Sequence, residues 1–319
     1  ACTTCRACQE ICPAAIEHVP KIVELRRSMV LMEGEFPGEE VMAAMEQTEV
    51  NGNPLGSGYA SRGEWAEEAG LKTIAEEPDV DVLYFVGCYG SFDKRNIRIA
   101  KSFVKLCQAA GVKVGILGKD EKCCGEPMRK MGNEYLYQSL AMENVEVLQA
   151  CGASKIVTTC PHCYNTLTKD YRDFGLTLEV ETYTVFLAEL IASGKLKIKP
   201  DSFSCTYHDS CYLGRHNDIY EPPRNLIKAA GGTITEMDKC RDEAFCCSAG
   251  GGRILAEENI GERISIKRVQ MAADTGAPQL ISNCPFCMTM FEDGVKGADL
   301  EDAVKPIDIA EVLAQRLNQ

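Results

Sequence analysis

Residues 82–88 read VLYFVGC, an apolar run of strand length that ends at a cysteine, and residues 155–163 read KIVTTCPHC, a second such run followed by two cysteines. Helical periodicity fills 93–109 and 132–150, and a third apolar run, VKVGILG, lies at 112–118. Alternating strands and helices predict an α/β fold with mostly parallel pairing. The cysteines fall where strands end, which is where open α/β sheets place their ligands, so this half of the chain predicts one binding site.

The same arrangement returns in the second half of the chain. Three cysteines recur at an offset of 123 residues and two at 124, and their surroundings repeat as GCYG beside SCYLG, KCCGEP beside FCCSAG, and IVTTCPHC beside LISNCPFC. Five cysteines matched at offsets of 123 or 124 residues indicate an internal duplication. The first quintet is Cys88, Cys123, Cys124, Cys160 and Cys163, and the second quintet is Cys211, Cys246, Cys247, Cys284 and Cys287.

Composition excludes several classes of protein. The 319 residues carry 34 Lys and Arg against 47 Asp and Glu, and a net charge of −13 repels the phosphate backbone, so nucleic acid is not an expected partner. No apolar run is long enough to span a membrane, and no secretory signal opens the chain. Because the chain starts at Ala1 with a cysteine next to it, we expect it to be the C-terminal part of a longer protein.

The quintets favour an iron–sulfur cluster over the other uses of cysteine. Structural zinc takes four ligands, so five cysteines overfill it. Disulfides need even numbers, and adjacent cysteines rarely pair with each other. CPHC after a strand is typical of a thioredoxin-like redox pair, but that alternative does not account for the second copy or the upstream cysteine pair. A cluster of several irons can accept five thiolates if some sulfurs bridge two metals, and a doubled cysteine then lets one loop hold two irons.

The N-terminal run CTTCRACQEICP has bacterial ferredoxin spacing. In the two-cluster form of that motif Cys2, Cys5 and Cys8 hold one 4Fe-4S cubane, while Cys12 reaches a second cluster whose other ligands lie before Ala1. A single cubane held by all four cysteines is the alternative.

The two quintets strongly resemble the cysteine-rich CCG domain of the B-type heterodisulfide reductase polypeptide and its D-type relatives, over residues 81–319. That resemblance implies two pseudo-symmetric α/β repeats, each holding a non-cubane 4Fe-4S cluster, preceded by a ferredoxin-type helical segment. The glycine that usually follows the cysteine pair is present as Gly125, but Ser248 replaces it in the second half. The amides of three further glycines are predicted to approach the cluster sulfurs: Gly250, Gly251 and Gly252.

Longer stretches, including residues 1–22, 207–224 and 284–296, are similar to iron–sulfur oxidoreductases of the electron-transfer-flavoprotein:menaquinone type. The resemblance implies an electron-transfer enzyme that takes electrons from a flavoprotein and passes them toward menaquinone, in the cytoplasm but attached to a membrane through a haem- or quinone-binding segment or subunit. The alternatives are a heterodisulfide or thiol-disulfide reductase, an iron–sulfur component of a lactate or glycolate oxidase or aromatic acyl-CoA reductase assembly, and a non-enzymatic metal-stabilised scaffold.

We divide the chain into a ferredoxin-type region (1–32), an acidic linker or extended wrapping segment (33–80), a first repeat (81–198) and a second repeat (199–319). The acidic segment holds 12 acidic residues against Arg62 and Lys72, and its glycines are expected to break any helix. A docking surface for a basic partner is the alternative interpretation of this segment.

Several residues beside the cysteines are candidates for catalysis. His208, Arg215 and His216 surround Cys211 and are predicted to donate hydrogen bonds to sulfide or a proton to a reduced quinone, although a purely structural role explains them equally well. His162 lies inside CPHC and either protonates a departing thiolate or fills the loop. Four further cysteines are predicted to be core residues: Cys107, Cys151, Cys205 and Cys240.

Overall fold

The structure, a computed structural model, describes residues 2–258 and 261–317. Four helices precede the first sheet: α1 (Ala7–Glu10), α2 (His18–Ser28), α3 (Glu39–Asn51) and α4 (Glu64–Glu68). A π-helical turn, Met29–Glu33, extends α2, and a 3₁₀ turn, Tyr59–Gly63, leads into α4. Within the described ranges no helix is long and apolar enough to cross a membrane.

The first repeat is a four-stranded parallel sheet with helices after its strands. Its strands are β1 (Val82–Phe85), β2 (Val114–Gly115), β3 (Lys155–Thr158) and β4 (Glu179–Thr182), in the spatial order β2-β1-β3-β4. Its helices are α5 (Gly87–Phe92), α6 (Lys94–Ala109), α7 (Glu126–Met131), α8 (Glu134–Ala150), α9 (Pro161–Thr168) and α10 (Tyr183–Ala192).

The second repeat has the same topology. Its strands are β5 (Phe203–Tyr207), β6 (Gly232–Ile234), β7 (Gln279–Ser282) and β8 (Lys305–Asp308), in the order β6-β5-β7-β8 and all parallel. Its helices are α11 (Glu221–Ala229), α12 (Ile264–Asp274), α13 (Pro285–Gly297) and α14 (Ile309–Ala314). Two parallel sheets of identical strand order confirm the predicted pair of pseudo-symmetric α/β repeats.

The two repeats share one hydrophobic core. Helix α6 of the first repeat packs on α14 of the second, and α10 packs on α11, so a layer of four helices lies between the two sheets. Tyr84 on β1 and Tyr207 on β5 are both fully buried and belong to this common cluster. The opposite faces of the two sheets have separate cores, one around Phe85 and α8, the other around Leu280 and α13. The shared layer fixes the position of one repeat, and of its cysteines, relative to the other.

The acidic segment contains the helices α3 and α4, whereas the sequence predicted that its glycines would break any helix. Helix α3 carries Glu39 and Glu40 in its first turn, where carboxylates interact favourably with the helix dipole. Gly52, with φ +66°, ends this helix instead of preventing it. Apolar residues of the segment enter two cores, since Val41 packs with the outer core of the first sheet and Trp65 with the shared core.

Candidate iron–sulfur site

The first quintet gathers at the carboxyl edge of the first sheet. Cys88 lies on α5 directly after β1, Cys123 and Cys124 precede α7, and Cys160 and Cys163 occupy the N-cap and first turn of α9 after β3. All five are buried, and their thiols are free. The sulfur atoms of Cys163 and Cys124 are 3.5 Å apart, and Cys123 also contacts Cys88. The sequence prediction that these five converge is met by the geometry.

The second quintet repeats the arrangement at the edge of the second sheet. Cys284 and Cys287 begin α13 after β7, and the sulfur atoms of Cys287 and Cys247 are 3.2 Å apart. Cys246 contacts Cys247 and is the one half-buried member of the set, while Cys211 follows β5. All five thiols are again free.

Both quintets have the chemistry that an iron–sulfur cluster requires. Hydrogen bonds from Cys123 and Cys163 lower the pKa of the Cys124 thiol to about 7, whereas burial raises the pKa of Cys88 well above its ordinary value. A dry pocket of crowded thiols is unfavourable unless cations draw off their protons, and binding to iron does this. Several buried hydrogen-bond donors beside the quintets have no protein partner, which suits inorganic sulfide as the acceptor: Arg62 Nη1, Arg215 Nη2, Arg268 Nη2 and Ser248 Oγ.

A buried ion pair supports the first quintet. Arg62 Nη2 donates to Glu121 Oε1 at 2.9 Å and to the Cys88 sulfur at 3.5 Å, and the Arg62 side chain is only 2% exposed. Glu121 also accepts from the backbone N–H groups of Val86 and Gly87 at 2.9 Å each. The acidic segment therefore delivers one cation to the loop that carries Cys88. Sequence reasoning missed both charged residues, although a lone arginine amid acidic residues was a usable signal.

His208 and Arg268 lie beside the second quintet. A ring nitrogen of His208 lies within 4.8 Å of the sulfurs of Cys247 and Cys287. Arg268 Nε donates to His208 Nδ1 at 3.1 Å, so the proton of the neutral ring is on Nε2. Burial and the Arg268 charge lower the pKa of His208 well below its usual range. His208 is therefore predicted to contact the cluster as a neutral hydrogen-bond donor.

Arg215 and His216 bind the main chain of the N-terminal segment, residues 2–32. Arg215 Nε donates to the carbonyl of Cys5 at 2.7 Å, and His216 Nε2 is 3.0 Å from the carbonyl of Thr4. Burial lowers the pKa of His216 to about 3, which leaves the ring neutral. Both side chains thus have structural partners, and their predicted catalytic roles stay predictions.

The N-terminal segment is docked directly on the second quintet. The thiol of Cys5 lies in contact with Cys246, whose sulfur is also 3.3 Å from Thr3 Oγ1. Burial raises the pKa of Cys8, and the nearby Cys2 and Cys5 raise it further, so these three cysteines lie close together. The predicted cubane ligands are therefore adjacent to the second quintet rather than the first. The role of Cys12 stays a prediction.

The predicted cofactor glycines explain how the segment fits. A Cβ added at Gly250 would lie 2.3 Å from the Thr3 carbonyl oxygen, and one at Gly251 would lie 2.7 Å from that of Cys2. Arg26 clamps the same contact by donating to the carbonyls of Cys2 and Gly251 at 2.6 and 3.0 Å. These glycines are thus required for close backbone approach. Their predicted hydrogen bonds to cluster sulfur remain predictions.

The loop after each cysteine pair has the same backbone form. Gly125 has φ +79°, and its N–H lies 3.4 Å from the Cys123 sulfur. Ser248 has φ +82°, with its N–H 3.2 Å from the Cys246 sulfur. Ser248 therefore keeps the loop geometry of the glycine in the first repeat, but its backbone lies in the left-handed region, which is strained for serine.

Between the two quintets, aromatic side chains of each repeat pack against side chains of the other repeat. Tyr89, next to Cys88, packs edge-on against Phe286 of the second repeat, with 4.8 Å between ring centroids. Tyr212, next to Cys211, stacks on His162 of the first repeat at 3.9 Å. His162 also packs against Phe286 at 4.5 Å. The space between the two quintets is filled by side chains from both repeats.

The four remaining cysteines belong to neither quintet, and they differ in burial. Cys107 and Cys205 are fully buried in the shared core, as predicted, while Cys151 and Cys240 are only half-buried.

Two groups of five free cysteines, at equivalent edges of two parallel sheets, define an iron–sulfur oxidoreductase of the duplicated α/β type. The cysteine-rich domain family called CCG matches residues 82–168 and 205–292. The chain belongs to this family, and the resemblance inferred from the sequence is confirmed.

Curated relatives share most of this chain's length. It is 46% identical over 328 residues to an "EtfAB:quinone oxidoreductase" of Syntrophomonas wolfei, covering 98% of this chain and 45% of that protein. It is 43% identical to a "Probable iron-sulfur-binding oxidoreductase FadF" of Bacillus subtilis, covering 99% and 46%. It is 32% identical to the D-type polypeptide of the dihydromethanophenazine:CoB–CoM heterodisulfide reductase of Methanosarcina barkeri, covering 99% and 77%. The chain thus spans about half the length of the first two relatives.

Among solved structures, an aspartate racemase homologue from Pyrococcus horikoshii aligns with a TM-score of 0.32 at 12% identity, covering 74% of this chain and 96% of that one. This similarity is too low to support an argument about the site.

Proposed function

We propose that this chain is the iron–sulfur electron-transfer part of an oxidoreductase that takes electrons from an electron-transfer flavoprotein, or another flavoprotein, and passes them toward menaquinone. Cys2, Cys5 and Cys8 hold a 4Fe-4S cubane in this proposal, and each quintet holds a non-cubane 4Fe-4S cluster. When bound, such clusters accept and release single electrons. The relative in Syntrophomonas wolfei, whose name joins EtfAB to quinone, supports the two ends of this path.

The observation that carries the proposal is the contact between Cys5 and Cys246. It joins the ferredoxin-type ligands to the second quintet through adjacent side chains, with the Thr3 hydroxyl beside the same sulfur. The crossed aromatic pairs then connect the second quintet to the first. The chain's own residues hold the three cysteine groups in a row and exclude water from the two quintets. The partner flavoprotein and a membrane haem- or quinone-binding segment or subunit lie outside this row.

Metal analysis tests the cofactor part of the proposal. The three clusters held by residues of this chain are expected to contribute about twelve irons and as many acid-labile sulfides to the anaerobic protein. Cys124→Ser and Cys247→Ser are each expected to remove about one cluster's worth of iron, while Cys151→Ser, which alters a half-buried thiol that donates to the Leu148 carbonyl, should retain the full content. Zinc without sulfide would refute the proposal and support the scaffold alternative.

Turnover assays test the direction of electron flow. We expect the holoprotein, in its full-length form, to oxidise a reduced electron-transfer flavoprotein and to reduce a water-soluble menaquinone analogue.

A second candidate function is reduction of a disulfide. The 32% identity to the D-type heterodisulfide reductase polypeptide, over 77% of its length, favours it. Turnover of the CoB–CoM heterodisulfide in the absence of quinone reduction would replace the first proposal with this one.

A further inference from the structure

The cysteines of the three groups differ in their access to solvent. Both quintets are buried except for the half-buried Cys246, whereas Cys8 of the N-terminal segment is exposed. Among the described cysteines no other is exposed to that degree. Electron transfer weakens steeply with distance, so a protein that delivers electrons must bring its own cofactor close to a cluster. The edge of the molecule at Cys8 is where such a donor can approach.

A cavity of about 340 Å³ opens beside this edge. Arg6 and Gln9, which lie on either side of Cys8 in the sequence, line it together with residues of α2, the end of α7 and the turn after α9. Five basic side chains face three acidic ones in this cavity. The whole chain has the opposite balance, with 34 basic and 47 acidic residues. The cavity is therefore a local reversal of the charge of the molecule.

Two of the five basic side chains are paired with carboxylates inside the cavity. Arg27 Nη1 lies 2.7 Å from Glu24 Oε1, and Arg129 Nη1 lies 3.0 Å from Asp170 Oδ1. These pairs neutralise two of the three acidic lining residues. The third, Glu17, is exposed to solvent.

The other three basic side chains, Arg6, Lys130 and Lys169, have no carboxylate partner in the described part of the chain. Arg6 Nη1 donates to the carbonyl of Arg215 at 3.3 Å, and Lys169 Nζ donates to the carbonyl of His216. Partial burial, and then the charge of Arg6, lower the pKa of Lys169, as expected where cations are crowded. An anion placed among these three side chains would relieve their repulsion.

We propose that Arg6, Lys130 and Lys169 form a docking surface for an acidic segment of the flavoprotein donor, which brings the donor's flavin next to the cluster held by Cys2, Cys5 and Cys8. The inference rests on the proposed function, because it requires a flavoprotein donor and a cluster at the N-terminal segment. Complementary charges guide a partner into register and speed its association. Electrons enter the row of cysteine groups at its exposed end.

Steady-state kinetics of the full-length holoprotein, with reduced electron-transfer flavoprotein as the donor, tests this surface. At low ionic strength the double variant Lys130→Gln/Lys169→Gln is expected to raise the KM for the flavoprotein about tenfold and to change kcat less than about twofold, because two surface ion pairs are lost. In about 1 M salt, where charges are screened within about 3 Å, its KM should approach that of the unaltered protein.

The matched control is Lys105→Gln/Lys228→Gln. These two lysines are exposed on α6 and α11, away from the cavity, and their substitution removes the same net charge. The control should leave the KM for the flavoprotein within about twofold, since only charges near the docked partner contribute appreciably. Both double variants should retain their iron. Should Lys130→Gln/Lys169→Gln lose iron, the two single variants carry the test, each with about a threefold rise in KM.

Chemical cross-linking identifies the groups that meet. A water-soluble carbodiimide activates a carboxylate, which a nearby lysine amine then attacks to form an amide. In the mixture with electron-transfer flavoprotein, peptides joined through Lys130 or Lys169 to an aspartate or glutamate of the flavoprotein are expected, and none through Lys105 or Lys228.

An unchanged KM in Lys130→Gln/Lys169→Gln would overturn the inference while leaving the proposed function intact. An equal rise in KM in the control would overturn it as well, because the effect would then come from total charge and not from this surface. Cross-links at other lysines alone would place the donor elsewhere and would also refute it. Failure of the unaltered protein to oxidise reduced electron-transfer flavoprotein would overturn both the inference and the proposed function.

Discussion

Substitution of Gly250 by alanine, which adds one methyl group, is expected to displace the N-terminal segment from the second repeat. A Cβ there would lie 2.3 Å from the Thr3 carbonyl oxygen, where ordinary contacts begin at 3.4 Å. Because the obstacle is backbone and not a flexible side chain, Gly250→Ala must displace the segment by about 1 Å. Such overpacking costs about 1–3 kcal/mol. The strain falls on the contacts that join Thr3 and Cys5 to Cys246.

Hydrogen exchange measured by mass spectrometry reads this displacement directly. The peptide covering residues 2–12 should exchange between about fivefold and about 150-fold faster in Gly250→Ala, as the expected cost implies. Gly58→Ala is the matched control, because Gly58 has φ −60° and nothing within 4 Å of an added Cβ. Unchanged exchange in Gly250→Ala, with unchanged stability, would show that the segment does not dock as described, and the proposed row of cysteine groups would lose its first link.

Three other substitutions test separate features. Arg62→Met strands the buried Glu121 carboxylate and should lower the free energy of unfolding by about 3–5 kcal/mol in urea titrations, whereas the double variant with Glu121→Gln should cost less than the two single changes combined. Ser248→Gly removes a left-handed serine and should raise thermal stability by about 1 kcal/mol with iron content retained; a loss of stability would contradict the strain. Burial raises the pKa of Asp308 to about 8, so the folded state keeps a proton that the unfolded chain releases near pH 4. As the pH rises from about 4 to about 8, the free energy of unfolding should therefore fall by about 1.4 kcal/mol per pH unit. Asp308→Asn should abolish that dependence on pH.

The architecture could be predicted because each half repeats the same local pattern. A strand followed by Cys88 and another followed by Cys160 specify two neighbouring parallel strands, and the second half gives the same two signals before Cys211 and Cys284. Cysteine spacing also predicts convergence, since the carboxyl ends of such strands lie at one edge. These features depend on local sequence alone.

The features that were not predicted depend on contacts between distant parts of the chain. Nothing near Arg62 indicates that it reaches Glu121, 59 residues away. The helix of the acidic segment was missed because glycines were taken to break it, whereas Gly52 ends it. The stacking of His162 on Tyr212 follows from how the two repeats pack, which the repeat pattern in the sequence cannot show.

The helical layer between the two sheets has a consequence for each repeat on its own. Helices α6 and α10 bury their apolar sides only because α14 and α11 cover them. Expressed separately, either half would expose that surface, and the pseudo-two-fold arrangement means that a second copy of the same half offers a complementary one. A free-standing half is therefore suited to become a symmetric homodimer, with its single set of five thiols facing an identical set across the axis.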